Sequence, residues 1–128
     1  MVFCHMSSAF GQDIYVRTFG DTSSIPIIYL HGGPGYNCSS FEVTSAQKLS
    51  NEGYYVVVYD RRCEGRSVEE AEFTFEQTHS DLLKIMDSLK IKSTNLIGHS
   101  FGGMVAITFA EKHKDRVQSI VLVGAPVS

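Results

Sequence analysis

Five short apolar runs, separated by longer amphipathic or polar stretches, constrain this 128-residue chain more than any other feature. "IPIIYLHG" (25–32), "YYVVVYD" (54–60), "NLIGHS" (95–100) and "SIVLVGAP" (119–126) are continuous and rich in β-branched and aromatic residues. A strand covered on both faces reads this way, because neither side meets water. "DIYVRTFG" (13–20) instead alternates with period two, as a half-buried strand does. Three helices are predicted between the runs. The first spans about 40–50 and stops before Gly53. The second starts at Thr78, where T-H-S-D offers a capping box closed by Asp81, and it sets Leu82, Leu83, Ile85, Met86 and Leu89 on one stripe. The third covers about 101–112 and turns Val105, Ala106, Phe109 and Ala110 towards a core. Such alternation predicts the α/β class, a mostly parallel sheet flanked by helices on both faces. Residues 64–77 are polar and acidic and read as a surface loop. Residues 1–12 read as a leader, leaving 13–128 as a single core domain.

Apolar residues make up 43% of the chain and charged residues 20%, a globular balance. The net charge of −3 comes with no basic stripe, which argues against nucleic acid as a partner. No apolar run approaches the roughly 18 residues of a membrane-spanning helix, so no membrane partner is expected. Cys4, Cys38 and Cys63 lack metal-ligand spacing and are read as reduced thiols, with no metal site and no cofactor. Ala9 and Gly11 stand in the A-x-G order of a signal-peptidase site, but no basic region precedes them. A cytoplasmic protein is expected, with export as the alternative if the leader is a truncated signal.

Gly98-His99-Ser100-Phe101-Gly102 forms a G-x-S-x-G between a predicted strand and a predicted helix, the context that a nucleophile turn requires. There the serine is expected at positive φ, with Oγ lifted above the sheet edge. Residues two before and two after it then crowd together, which Gly98 and Gly102 permit, and Gly103 lets the helix lie close. A simple N-cap serine is the competing reading. It accounts for the serine but not for three glycines. "HGGPG", from His31 to Gly35, follows the second run. Acyl transfer needs donors aimed where negative charge develops on the carbonyl oxygen. Glycines let a backbone N–H of this loop approach that point, and Pro34 sets the turn. The Phe101 N–H, at the positive end of its helix, is the second donor. Taken alone, the loop could equally be a tight turn.

A third segment, "YDRRCEGRS" (59–67), completes a pattern. HGGPG, then D-x-R-x-x-G-x-S, then GHSFGG, in this order, resemble the N-terminal half of an α/β-hydrolase, and most of all its proline iminopeptidase-like group. The resemblance runs from about Asp13 to Ser128. It implies Ser100 as the nucleophile and the Gly33 and Phe101 N–H groups as the oxyanion hole. Asp60, Arg62, Gly65 and Ser67 become a structural turn beneath the site. His31, Gly32, Pro34, Gly35, Gly98, His99 and Gly102 become pocket or support residues. Cys63 departs from that family, which usually has glycine there.

A serine nucleophile needs a base oriented by a carboxylate, and in this fold the chain order is Ser, acid, His. After Ser100 stand only His113, Glu111 and Asp115, in or just after the third helix. At 1.5 Å per residue, a helical His113 lies roughly 20 Å from the serine. His99 adjoins Ser100, but neighbouring side chains diverge on such a turn. His31 is expected to bond backbone in its loop, His79 to be solvated near a helix cap, and His5 to lie in the leader. The acid and histidine are therefore expected beyond residue 128. The implied activity is a serine hydrolase for a small ester, amide or short peptide. The alternative is an inert hydrolase-like module that binds a ligand or self-associates through the sheet edge at 119–126.

Overall fold

The computed structural model describes residues 2–5, 14–33, 35–62, 64–67 and 73–126, the first segment by its backbone alone. Six strands make one sheet: β1 (Val2–His5), β2 (Tyr15–Phe19), β3 (Ile25–Leu30), β4 (Tyr54–Tyr59), β5 (Thr94–His99) and β6 (Val117–Val123), in the order β1-β2-β4-β3-β5-β6. β4, β3, β5 and β6 run parallel, while β2 pairs antiparallel with β4 and β1 with β2.

β4 shows why its sequence is continuously apolar. Val56 and Val58 are buried with Tyr15, Phe19 and Tyr29 on one face. Tyr55, Val57 and Tyr59 are buried with Ile28, Leu30 and Leu96 on the other. The first face is covered by α1. It starts as an α turn at Ser39–Phe41, passes through a π-helical segment at Glu42–Ala46 and returns to α at Gln47–Asn51. Phe41 stacks on Tyr29, with ring centroids 4.0 Å apart. The second face carries α2 (Phe75–Ser88) and α3 (Phe101–Lys112), which contribute Leu82, Ile85, Met86, Val105, Ala106 and Phe109 to the core.

Four expectations change. α2 begins at Phe75, not Thr78, because the Thr74 hydroxyl caps it by accepting the Gln77 N–H at 3.0 Å. The operative signature is T-x-x-Q one turn earlier, while Thr78 and Asp81 are buried inside the helix. The stretch 64–77 is thus not one loop: residues 64–67 form a turn packed on Asp60, 68–72 lie outside the described residues, and Phe75 to Gln77 are helical. Residues 2–5 of the presumed leader form β1, in register Val2↔Thr18 through His5↔Tyr15. Four residues are too few for a period to register in sequence. Finally, β6 is not covered on both faces. It sits at the end of the strand order, with Val121, Leu122 and Val123 exposed. Among the described residues no helix is long and apolar enough to cross a membrane.

Candidate active site

β5 ends at His99, α3 begins at Phe101, and Ser100 makes the whole turn between them. Its backbone sits at φ 52° and ψ −116°, a combination that costs a residue with a Cβ about 1–3 kcal/mol. An N-cap serine would have extended dihedrals and accept a helix N–H with its hydroxyl. Ser100 has neither those dihedrals nor a side-chain cap bond. The strain is held from both sides, by the Ser100 N–H donating to Val123 O at 2.9 Å and the Gly103 N–H donating to Ser100 O at 2.9 Å.

Close packing explains the flanking glycines. A Cβ on Gly98 would stand 2.6 Å from the Gly103 Cα and 2.7 Å from the Gly102 oxygen. On Gly102 it would overlap the Leu30 carbonyl oxygen and lie 2.6 Å from that of His31. These contacts bring the start of α3 against the end of β3, where the HGGPG loop departs. On the other side of the turn, the His99 ring lies over Gly32, with Nδ1 2.9 Å from where a Cβ would be. The residues on either side of Ser100 are thus packed against the first residues of the loop. His99 also lines a cavity of about 320 Å³ with Tyr29, Phe41, Ile97 and Val123, on the α1 face.

The loop is fastened from below by Arg61 and Glu64. The Arg61 N–H donates to His31 Nε2 at 3.0 Å, which requires the His31 proton to be on Nδ1, where it is given to Gly32 O at 2.6 Å. Burial, with the Arg61 cation added, pulls the His31 imidazole down to about 4. His31 is therefore neutral, with both nitrogens engaged, and is no base. The Arg61 guanidinium donates to His31 O at 2.5 Å, to Gly32 O at 2.9 Å and to Glu64 at 3.0 Å. Glu64 accepts the Gly35 N–H at 2.8 Å. Gly33, at φ +133°, adopts a conformation that only glycine takes readily.

Asp60 supports the adjoining turn. Its carboxylate accepts the Cys38 N–H at 2.8 Å and both the backbone N–H and Nε of Arg66 at 2.8 Å. Burial acts to raise its pKa, but these donors outweigh burial and hold it below the ordinary carboxylate range. Ser67 donates to Asp60 O at 2.6 Å and accepts the Tyr15 N–H. A Cβ on Gly65 would lie 2.6 Å from that of Asn37, so the turn closes only on glycine. Arg62 points away from the loop and grips Asp81 of α2 with Nε at 2.6 Å and a second nitrogen at 2.7 Å. Pro34 and Cys63 lie outside the described residues.

The other histidines are elsewhere. His79 is buried between α2 and α3, not solvated as its sequence position suggested. It exchanges a hydrogen bond with Thr108 at 2.9 Å and packs against Phe109. His113 caps the far end of α3, thirteen residues beyond Ser100. Arg61 and Glu64 were missed in sequence. Their one signal is the placing of charge directly after a buried strand, beside a loop whose carbonyls need donors. No group of three or more metal-ligating side chains occurs among the described residues.

Residues 25–128 match the model of the alpha/beta hydrolase fold. A proline iminopeptidase of Arabidopsis thaliana is 30% identical over 114 residues, covering 87% of this chain and 29% of the relative. The sn-1-specific diacylglycerol lipase ABHD11 of Danio rerio is 34% identical over 104 residues, covering 81% of this chain and 32% of the lipase. A solved esterase from Exiguobacterium antarcticum superimposes with a TM-score of 0.83 at 29% identity, over 97% of this chain and 46% of the esterase. The chain thus spans less than half the length of each protein.

Proposed function

The chain belongs to the α/β-hydrolase fold family, and from that premise we propose that it is the nucleophile-bearing part of a serine hydrolase acting on an ester or amide bond. The observation that carries this reading is Ser100 itself: a strained, uncapped serine at the strand-to-helix turn, packed through Gly102 and His99 against a glycine loop. In the proposed mechanism Oγ attacks the acyl carbon while a base takes its proton. The carbonyl oxygen gains negative charge and is met by the N–H groups of Gly33 and Phe101, the latter a first-turn donor with no acceptor inside its helix. Collapse breaks the bond to the alcohol or amine, which leaves with a proton, and water then releases the acid from Ser100.

The base is proposed to come from outside the described side chains. His31 is neutral and doubly bonded, the His99 ring lies over Gly32, His79 is tied to Thr108, and His113 lies roughly 20 Å along α3 at 1.5 Å per residue. The relatives' greater length supports an acid and a histidine further along. Their names include a peptidase and a lipase, and the proposal stops at ester or amide.

Reaction of the full-length protein with a fluorophosphonate tests this. A single adduct on the peptide bearing Ser100, absent in Ser100→Ala, is expected. An unreactive Ser100 in the folded protein would instead fit an inert binding module.

A further inference from the structure

We propose that Arg61 is a positioning residue that sets the orientation of the Gly32–Gly33 peptide, with Glu64 as its counter-charge, an inference that rests on the oxyanion role proposed for Gly33. In a trans peptide the carbonyl of one residue and the N–H of the next point to opposite sides of the chain. Arg61 holds Gly32 O at 2.9 Å from beneath the loop, beside the His31 Nδ1–H that donates to the same oxygen at 2.6 Å and whose ring is itself fixed by the Arg61 N–H, so the Gly33 N–H of the same peptide faces the other way. A flip of that peptide would turn the N–H down and present the carbonyl to the developing anion, and a glycine on both sides of the bond makes such a flip easy. Arg61 opposes it by holding two consecutive carbonyls, His31 O and Gly32 O, with one planar fork.

The fork cannot swing. The guanidinium is 1% exposed, lies 5.2 Å from the Phe101 ring centroid, and shares its Nε with Glu64. Its backbone N–H is committed to His31. Glu64 closes the bracket by taking the Gly35 N–H, so the loop is held before and after Gly33 by one ion pair. A buried cation with no partner would be strongly unfavourable, which gives Glu64 a reason to stand three residues from Arg61.

Glycine-selective labelling reads this peptide directly. The chain holds two Gly–Gly bonds, Gly32–Gly33 and Gly102–Gly103. Carbonyl-13C and amide-15N glycine therefore isolates one test signal and one internal reference. In Arg61→Met the Gly32–Gly33 signal should shift or split while Gly102–Gly103 stays in place, and Arg61→Lys should fall between. On the full-length protein, the fluorophosphonate reaction rate at Ser100 should drop about 100-fold in Arg61→Met, the loss that follows removal of one oxyanion donor. For an activated ester, that loss should appear in kcat with KM unchanged. An unmoved Gly32–Gly33 signal in Arg61→Met overturns the inference, and so does a wild-type rate in a variant whose signal has moved. A wild type whose Ser100 never reacts overturns the proposed function instead, and leaves the labelling result to decide what Arg61 holds.

Discussion

Gly102→Ala puts the packing of the serine turn to its most direct test. A methyl at this position would overlap the Leu30 carbonyl oxygen and stand 2.6 Å from the His31 oxygen, where real Cβ contacts essentially never fall below 3.0 Å. The obstacle is backbone at the end of a strand paired on both sides, so α3 must retreat instead. Overpacking costs about 1–3 kcal/mol, and an immovable neighbour puts this site at the upper end. Retreat also loosens the bonds around Ser100, worth about 1 kcal/mol. Against this, alanine regains up to about 1 kcal/mol of helix propensity. The net is a destabilisation of about 2–3 kcal/mol. With a urea dependence of about 1–3 kcal/mol per molar, the midpoint should fall by roughly 1 M. Urea unfolding of Gly102→Ala should be compared with Met104→Ala, an exposed site on the same helix whose change should stay within about 0.5 kcal/mol. If the two variants unfold together, the β3–α3 contact yields freely and cannot be what enforces the glycines.

Relief of backbone strain predicts that Ser100→Gly is more stable than Ser100→Ala by about 1 kcal/mol in thermal unfolding, since only alanine retains the cost of φ 52°; equal stability would mean that the turn is unstrained. Arg62→Met should cost about 3 kcal/mol by leaving the Asp81 carboxylate, 3% exposed, without its partner, and Asp81→Leu in the same chain should recover most of it. A double variant no better than the single one would rule out the stranded charge as the cause. The His31 value of about 4 also sets a pH dependence. Above about pH 6.5 the imidazole is neutral folded and unfolded, whereas between there and pH 4 only the unfolded chain takes the proton, so stability must fall with falling pH, by up to about 3 kcal/mol. Unfolding at pH 7.5 and 5.0 measures it, with an NMR titration of His31 as the check. A His31 that protonates near pH 6.5 in the folded protein would contradict the buried, doubly bonded ring.

The strained serine turn was legible in sequence because its requirements are steric and local: a strand end, a serine, and glycines at fixed offsets. The core strands were legible for a related reason, since a strand buried on both faces leaves no polar alternation. β6 shares that composition yet is an exposed edge, because what lies beside a strand is a property of the sheet and not of the strand. Thr78 and Asp81 mimicked a helix start, although T-x-x-Q at 74–77 carries the same chemistry one turn earlier. Arg61 and Glu64 were hidden for a different reason. Arg61 donates to carbonyls and Glu64 accepts an N–H, all on backbone about thirty residues away, and no spacing in the chain announces a bond to backbone.

The strand order carries a kinetic consequence. β3, which leads into the glycine loop, lies between β4 and β5, and β5 leads into Ser100. The pairing of Ile27 with Asn95 through Leu30 with Gly98 joins segments about seventy residues apart, at a length-dependent closure cost of about 4 kcal/mol. Until that ladder zips, β3 is a sheet edge and the loop and the serine belong to unconnected pieces. The two halves of the candidate site can therefore mature only in the single docking event that seats β5, which makes the proposed reactivity of Ser100 a reporter of when the centre of the sheet closes.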